Sequence, residues 1–200
     1  MIRAGYTGIT DLFIDMVSRV NDTQWQQAGL GEWTVRELVG HTCRATFVLI
    51  EGSMDKPAAH LDIERPADFW KDIRTPADNA AIAEDGRQAA AALGNHPLDA
   101  VRETAERVRT RIDNTPDDTL ITTRAGGMRL IDYLATRVFE CTIHTLDLAV
   151  AIRAEINLPH PAATVALQLL GERAQLRGHV IPLLLAATGR RALPEGLSVL

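Results

Sequence analysis

Arg137-Val138-Phe139-Glu140-Cys141-Thr142-Ile143-His144-Thr145-Leu146-Asp147-Leu148 is the stretch whose reading decides the fold of this chain. It lies inside a longer run, 130–153, where Leu130, Tyr133, Leu134, Arg137, Val138, Cys141, His144, Leu148 and Ile152 recur at helical spacing. The run therefore reads as one long helix. Glu140, His144 and Asp147 are four and then three residues apart, which stacks them on one face of that helix. Far upstream, His41 falls on the inward face of a second helix. One histidine from one helix and Glu-x-x-x-His from another can close three corners of a divalent-metal site. The fourth corner is then free for water or a thiol, as in a catalytic rather than a structural zinc site.

The same residues have a plainer reading. Glu140 sits between Val138 and Ile143 in an otherwise apolar helix, and an uncompensated buried carboxylate costs several kcal/mol. A metal, Arg137 or a histidine would neutralise it. A buried Glu–His or Arg–Glu network serves as well as an ion, and both readings stay open on the residues alone. Asp147 reads as a fourth ligand, as an acceptor that orients a ligand histidine, or as a partner for Arg137 or Arg153.

Working outward, Ile9, Leu12, Phe13, Met16, Val17 and Val20 form an amphipathic stripe that predicts a helix from about residue 8 to Asn21. Residues 25–33 hold Gly29 and Gly31 and read as a loop. Thr34-Val35-Arg36-Glu37 is a capping box and opens a helix to about Gly52, with Val35, Leu38, Val39, Thr42, Ala45, Val48 and Leu49 inward beside His41. Residues 53–75 read as a crossover with short turns, packed down by Asp68-Phe69-Trp70. Helices follow at 76–93 and 98–113, split by Gly94-Asn95-His96-Pro97. Leu120 to Arg124 reads as an extended strand ended by Gly126-Gly127. A stiff loop spans 158–161, and a last helix runs over 162–188, bent at Pro182 and capped by Gly189. Helices joined by a crossover predict an all-α four-helix bundle with accessory short helices, a scaffold that builds metal sites from inward Glu and His.

Two hundred residues fit one domain with a core large enough to stand without metal, so a metal here is functional rather than a folding staple. A net charge of −5 and an isoelectric point near 5.7 argue against nucleic acid. The Arg102–Arg111 run is interleaved with Glu103 and Glu106 and reads as a solvated face. No apolar run approaches the roughly 20 residues that span a bilayer, and the first residues lack a signal-peptide core. The expected location is cytoplasmic. Cys43 and Cys141 are not a disulfide framework. At 100° per residue they point about 200° from His41 and about 100° from Glu140, so they read as small buried thiols off the ligand face. His60 and His96 read as surface loop residues, His160 as a turn residue, and His179 as a satisfied position on the last helix.

Trp33-Thr34-Val35-Arg36-Glu37-Leu38-Val39-Gly40-His41 is similar to the tryptophan-to-histidine helix start of the mycothiol-dependent maleylpyruvate isomerase family, within the DinB-like superfamily. The Arg137–Leu148 stretch resembles that family's second motif, and Gly126-Gly127-Met128 and Ala187-Thr188-Gly189-Arg190 also fit. The resemblance implies a DinB-like bundle over 1–189. It implies His41, Glu140 and His144 as ligands of a divalent metal, with zinc first and nickel, iron and manganese as alternatives. It further implies mycothiol as the thiol cofactor and a small electrophile as substrate. Asp147 and Arg137 are the expected catalytic auxiliaries, Arg137 pairing with Asp147 or Glu140. Residues 190–200 are expected as a short tail in place of the family's C-terminal α/β domain, which supplies an active-site arginine. The expected activities are isomerase-like or S-transferase-like. The rival is a non-catalytic bundle serving binding or homodimerisation. No membrane or nucleic-acid partner is expected.

Overall fold

Thr34 caps its helix as the spacing predicts. Its hydroxyl accepts from the Glu37 backbone N–H at 3.2 Å, and the Glu37 carboxylate accepts from the Thr34 N–H at 2.8 Å. The computed structural model describes residues 1–70 and 76–200. Its elements in chain order are α1 (Ile2–Ser18), β1 (Ala28–Leu30), β2 (Trp33–Thr34), α2 (Val35–Cys43), α3 (Leu49–Met54), α4 (Pro76–Ala92), α5 (Pro97–Asp113), β3 (Leu120–Thr123), β4 (Gly126–Arg129), α6 (Leu130–Ile152), α7 (His160–Leu176) and α8 (Val180–Ala187).

The architecture is the expected all-α, DinB-like four-helix bundle. Helices α1 and α6 pack side by side, α6 packs on α2, and α5 closes the ring against α1 and the segment between α2 and α3. Phe13, Met16, Leu38, Phe47, Leu134, Val138 and Leu148 meet in its fully buried centre. Two elements lie outside the ring. Helix α4 packs on α2, and α7 packs on α1 and α6. Among the described residues no helix is long and apolar enough to cross a membrane.

Several boundaries differ from the sequence reading, each for a physical reason. Helix α1 begins at Ile2 rather than residue 8, because Gly5 lies against the start of α7: a Cβ there would come within 3.2 Å of the Pro161 carbonyl oxygen. The expected loop at 25–33 contains a small antiparallel hairpin, with Leu30 opposite Trp33. The strand at 120–123 does not end at Gly126-Gly127; these glycines belong to its partner, and Ile121 pairs with Met128. The crossover lies along this hairpin, where the Asp62 N–H donates to the Gly127 carbonyl and the Thr122 N–H to that of Lys56. The end of the crossover, residues 71–75, lies outside the described residues.

The helix expected over 34–52 is continuous but not uniform. Residues Arg44–Val48 form a π turn, in which the Leu49 N–H reaches back five residues to the Arg44 carbonyl. The extra residue rotates everything after it. Phe47 and Ile50 are fully buried, whereas Val48, expected inward, is 46% exposed. The last helix is two helices. The chain breaks at Arg177-Gly178-His179, where Gly178 adopts φ +72°, and Pro182 causes no bend. Pro182 is the third residue of α8, where a missing N–H costs nothing. His160 opens α7 instead of sitting in a turn, and His179 is the residue before α8 rather than a helical one.

Candidate metal centre

Helix α6 presents Glu140 and His144 one turn apart, and Asp147 one turn beyond. Glu140 is 9% exposed. Its Oε1 accepts from the Trp70 indole N–H at 3.0 Å, and its Oε2 stands 3.5 Å from His144 Nε2. The other imidazole nitrogen, Nδ1, lies 3.1 Å from Asp147 Oδ2. The three side chains thus form one chain of contacts along the face read from the sequence. Trp70 closes it from the short 3₁₀ turn Pro66–Trp70, where residues 67–70 are all buried. Arg65 grips Asp68 with two hydrogen bonds, and Arg173 donates to the Ala67 carbonyl, so this turn is tied down at Ala67 and Asp68.

His41 approaches from α2. Its ring centroid is 4.9 Å from that of His144, and the two planes are perpendicular. On its other side the ring lies 4.4 Å from the Trp33 indole. Trp33 is held in turn by α4: its Nε1–H donates to the Ala83 carbonyl at 3.3 Å, and the indole covers Gly86. Gly40 lets α4 come this close, since a Cβ there would stand 2.4 Å from the Ala90 backbone nitrogen. Trp33 thus stands against the His41 ring, at the start of the helix that carries it.

Burial alone would push the His144 imidazole down. The hydrogen bonds and charges of Asp147 and Glu140 override it, and the imidazole is pushed up to about 9. Burial likewise opposes ionisation of Glu140. The His144 bond, the nearby Arg137 charge and the Trp70 bond together hold this carboxyl well below the usual carboxylate range. Both shifts favour a charged His144–Glu140 pair in the metal-free protein. Among the described residues no group of three or more His, Cys, Asp or Glu side chains is gathered closely enough to hold an ion.

Arg137 differs from expectation. It makes no ion pair with Asp147 or Glu140. The residue is 3% exposed; its guanidinium lies 5.0 Å from the Phe69 ring centroid and 4.8 Å from that of Tyr133, and it donates to the Ala45 carbonyl and the Thr136 hydroxyl. Trp70 is a hydrogen-bond partner of Glu140 that helix periodicity does not reveal; only its place in the packed Asp68-Phe69-Trp70 run signals it. The two cysteines stay off the site. Burial pushes the Cys43 thiol up to about 12 and the Cys141 thiol up to about 11, so neither is a nucleophile at neutral pH. His60 and His96 are exposed, away from this cluster.

A family model described as the mycothiol maleylpyruvate isomerase N-terminal domain matches residues 7–149 of this chain. No curated protein and no solved structure matches it.

Proposed function

From the premise that this chain belongs to the mycothiol maleylpyruvate isomerase N-terminal domain family, we propose that it is a metal-dependent enzyme that uses mycothiol on a small electrophile, by isomerisation or S-transfer. His41, Glu140 and His144 would hold the ion. The observation that carries this reading is the orientation of His144. Asp147 takes its Nδ1 side, which turns Nε2 toward Glu140 Oε2 at 3.5 Å. Two donors at zinc-ligand distances on a tetrahedral ion would stand about 3.4 Å apart, so the pair already fits one. His41 brings the third donor. Its ring lies 4.9 Å, centroid to centroid, from that of His144.

Each neighbouring residue has a task in this account. Asp147 fixes the tautomer of His144 and strengthens it as a ligand. Trp70 occupies Oε1 of Glu140 and leaves Oε2 facing His144. Trp33 limits where the His41 ring can turn. Trp70, packed on Phe139 with ring centroids 5.7 Å apart, lies against the carboxylate, which is 9% exposed. A divalent ion bound at these donors would lower the pKa of a coordinated thiol and make thiolate available at neutral pH. Location inside the cytoplasm is part of the proposal, as a reducing compartment keeps both the thiol cofactor and the two cysteines reduced.

Metal content separates the reading from its failure. Protein purified without chelator should carry close to one divalent ion per chain, and His144→Ala should carry almost none. Equal, near-zero content in both would sink the metal site. One observation favours a second reading, a non-catalytic binding bundle: the Glu140–His144–Asp147 chain is already satisfied without an ion. That reading predicts that neither divalent ions nor mycothiol shift the melting temperature.

A further inference from the structure

The π turn and Arg137 belong together. A π turn widens the helix and leaves carbonyls for partners outside it. Two in Arg44–Val48 find them on other helices: the Ala45 carbonyl accepts from Arg137 Nη1 at 3.2 Å, and the Thr46 carbonyl from the Tyr6 hydroxyl at 3.0 Å. Arg137 is an expensive choice for this purpose. A buried guanidinium without a carboxylate partner loses its hydration with little electrostatic return. Its Nη2 is buried and finds no acceptor among the described residues. What the side chain does achieve is contact with three elements at once. It starts on α6, one turn before Glu140. It reaches Ala45, one turn after His41. It stacks on Phe69, the neighbour of the Trp70 that bonds Glu140.

We propose that Arg137 is a positioning residue: braced between the π turn at Ala45 and the Phe69 ring, it sets the separation of His41 from the Glu140–His144 pair. The planar fork is what the role requires. A lysine would keep the charge but could not stack on Phe69 and Tyr133 while donating in plane to Ala45. This inference rests on the metal reading above, and its test keeps the two apart. Charge and geometry also separate, because Arg137→Lys removes only the second.

The experiment titrates Co²⁺ into the metal-free full chain, following visible ligand-field absorption for wild type, Arg137→Lys and Arg137→Met. Helix content by circular dichroism identifies the variants that fold. Wild type should bind one equivalent. Arg137→Met should bind at least ten-fold more weakly, the lower end of losses seen when a ligand's supporting contact is removed. Arg137→Lys should fall well short of wild type and show a changed spectrum. In metal-free Arg137→Met the His41 imidazole NMR signals should also shift, although Arg137 does not touch that ring. If Arg137→Met folds and binds within two-fold of wild type with the same spectrum, the proposal is overturned. If Arg137→Lys matches wild type, charge alone is at work and the positioning role is overturned. Should Arg137→Met fail to fold, the Arg137→Lys result decides alone. Wild type that takes up no Co²⁺ would instead overturn the metal reading and this inference with it.

Discussion

Asp147 decides which face of the His144 imidazole meets Glu140, and one substitution isolates that contact. Asp147→Ala should leave the fold intact and weaken divalent-ion affinity by about 10–100-fold, measured by competition with a chromophoric chelator. His144 and Glu140 also fix how stability depends on pH. The His144 imidazole is raised from 6.5 to about 9 in the folded chain. Its contribution to the metal-free protein is complete below about pH 6.5 and is lost as pH rises toward 9. The Glu140 carboxyl is lowered, so its contribution is complete above its ordinary 4.5 and is lost as pH falls below that. Urea denaturation in chelator should therefore show greatest stability between about pH 4.5 and 6.5. Ion affinity should run the other way across the upper range, since binding requires the His144 proton to leave. Stability in chelator that rises from pH 6.5 to 9 would contradict the pairing.

Among the elements, α2 carries the heaviest constraint, because its cap, its close contact and its π turn all set His41. Gly40→Ala forces a methyl group against the α4 backbone. It should cost about 1–3 kcal/mol by chemical denaturation and weaken ion binding as well, because the adjacent His41 moves with it. Thr34→Ala removes the cap hydroxyl and should cost about 0.5–2 kcal/mol. The cap was legible because a capping box is written in four consecutive residues. The face of Glu140, His144 and Asp147 was legible for a similar reason: helix periodicity alone places them. The π turn was not. It has no local signature, and the donors that satisfy it, Tyr6 and Arg137, are on other helices. The inward assignment of Val48 failed with it.

For the molecule as a whole, a large apolar core among α1, α2, α5 and α6 carries the fold, so it should survive without a metal at the proposed site. Chelation should leave far-UV circular dichroism unchanged. A divalent ion at 100 times its dissociation constant should add about 2.7 kcal/mol to stability, read as a rise in melting temperature. The bundle was legible from its amphipathic stripes, and so were α4 and α5, split where Gly94 to Pro97 interrupts them. The α7–α8 break was not, because Pro182 is the stronger helix-breaking signal in the sequence while the chain breaks at Gly178. The nearness of His41 to His144 was beyond local pattern altogether, since packing between α2 and α6 creates it. That packing is what a bound ion would test most directly. Anomalous diffraction from crystals of the metal-loaded chain should place one ion about 2.0–2.2 Å from His41 Nε2, Glu140 Oε2 and His144 Nε2 together. An ion bound elsewhere, or held by Glu140 and His144 with the His41 ring still against Trp33, would contradict it.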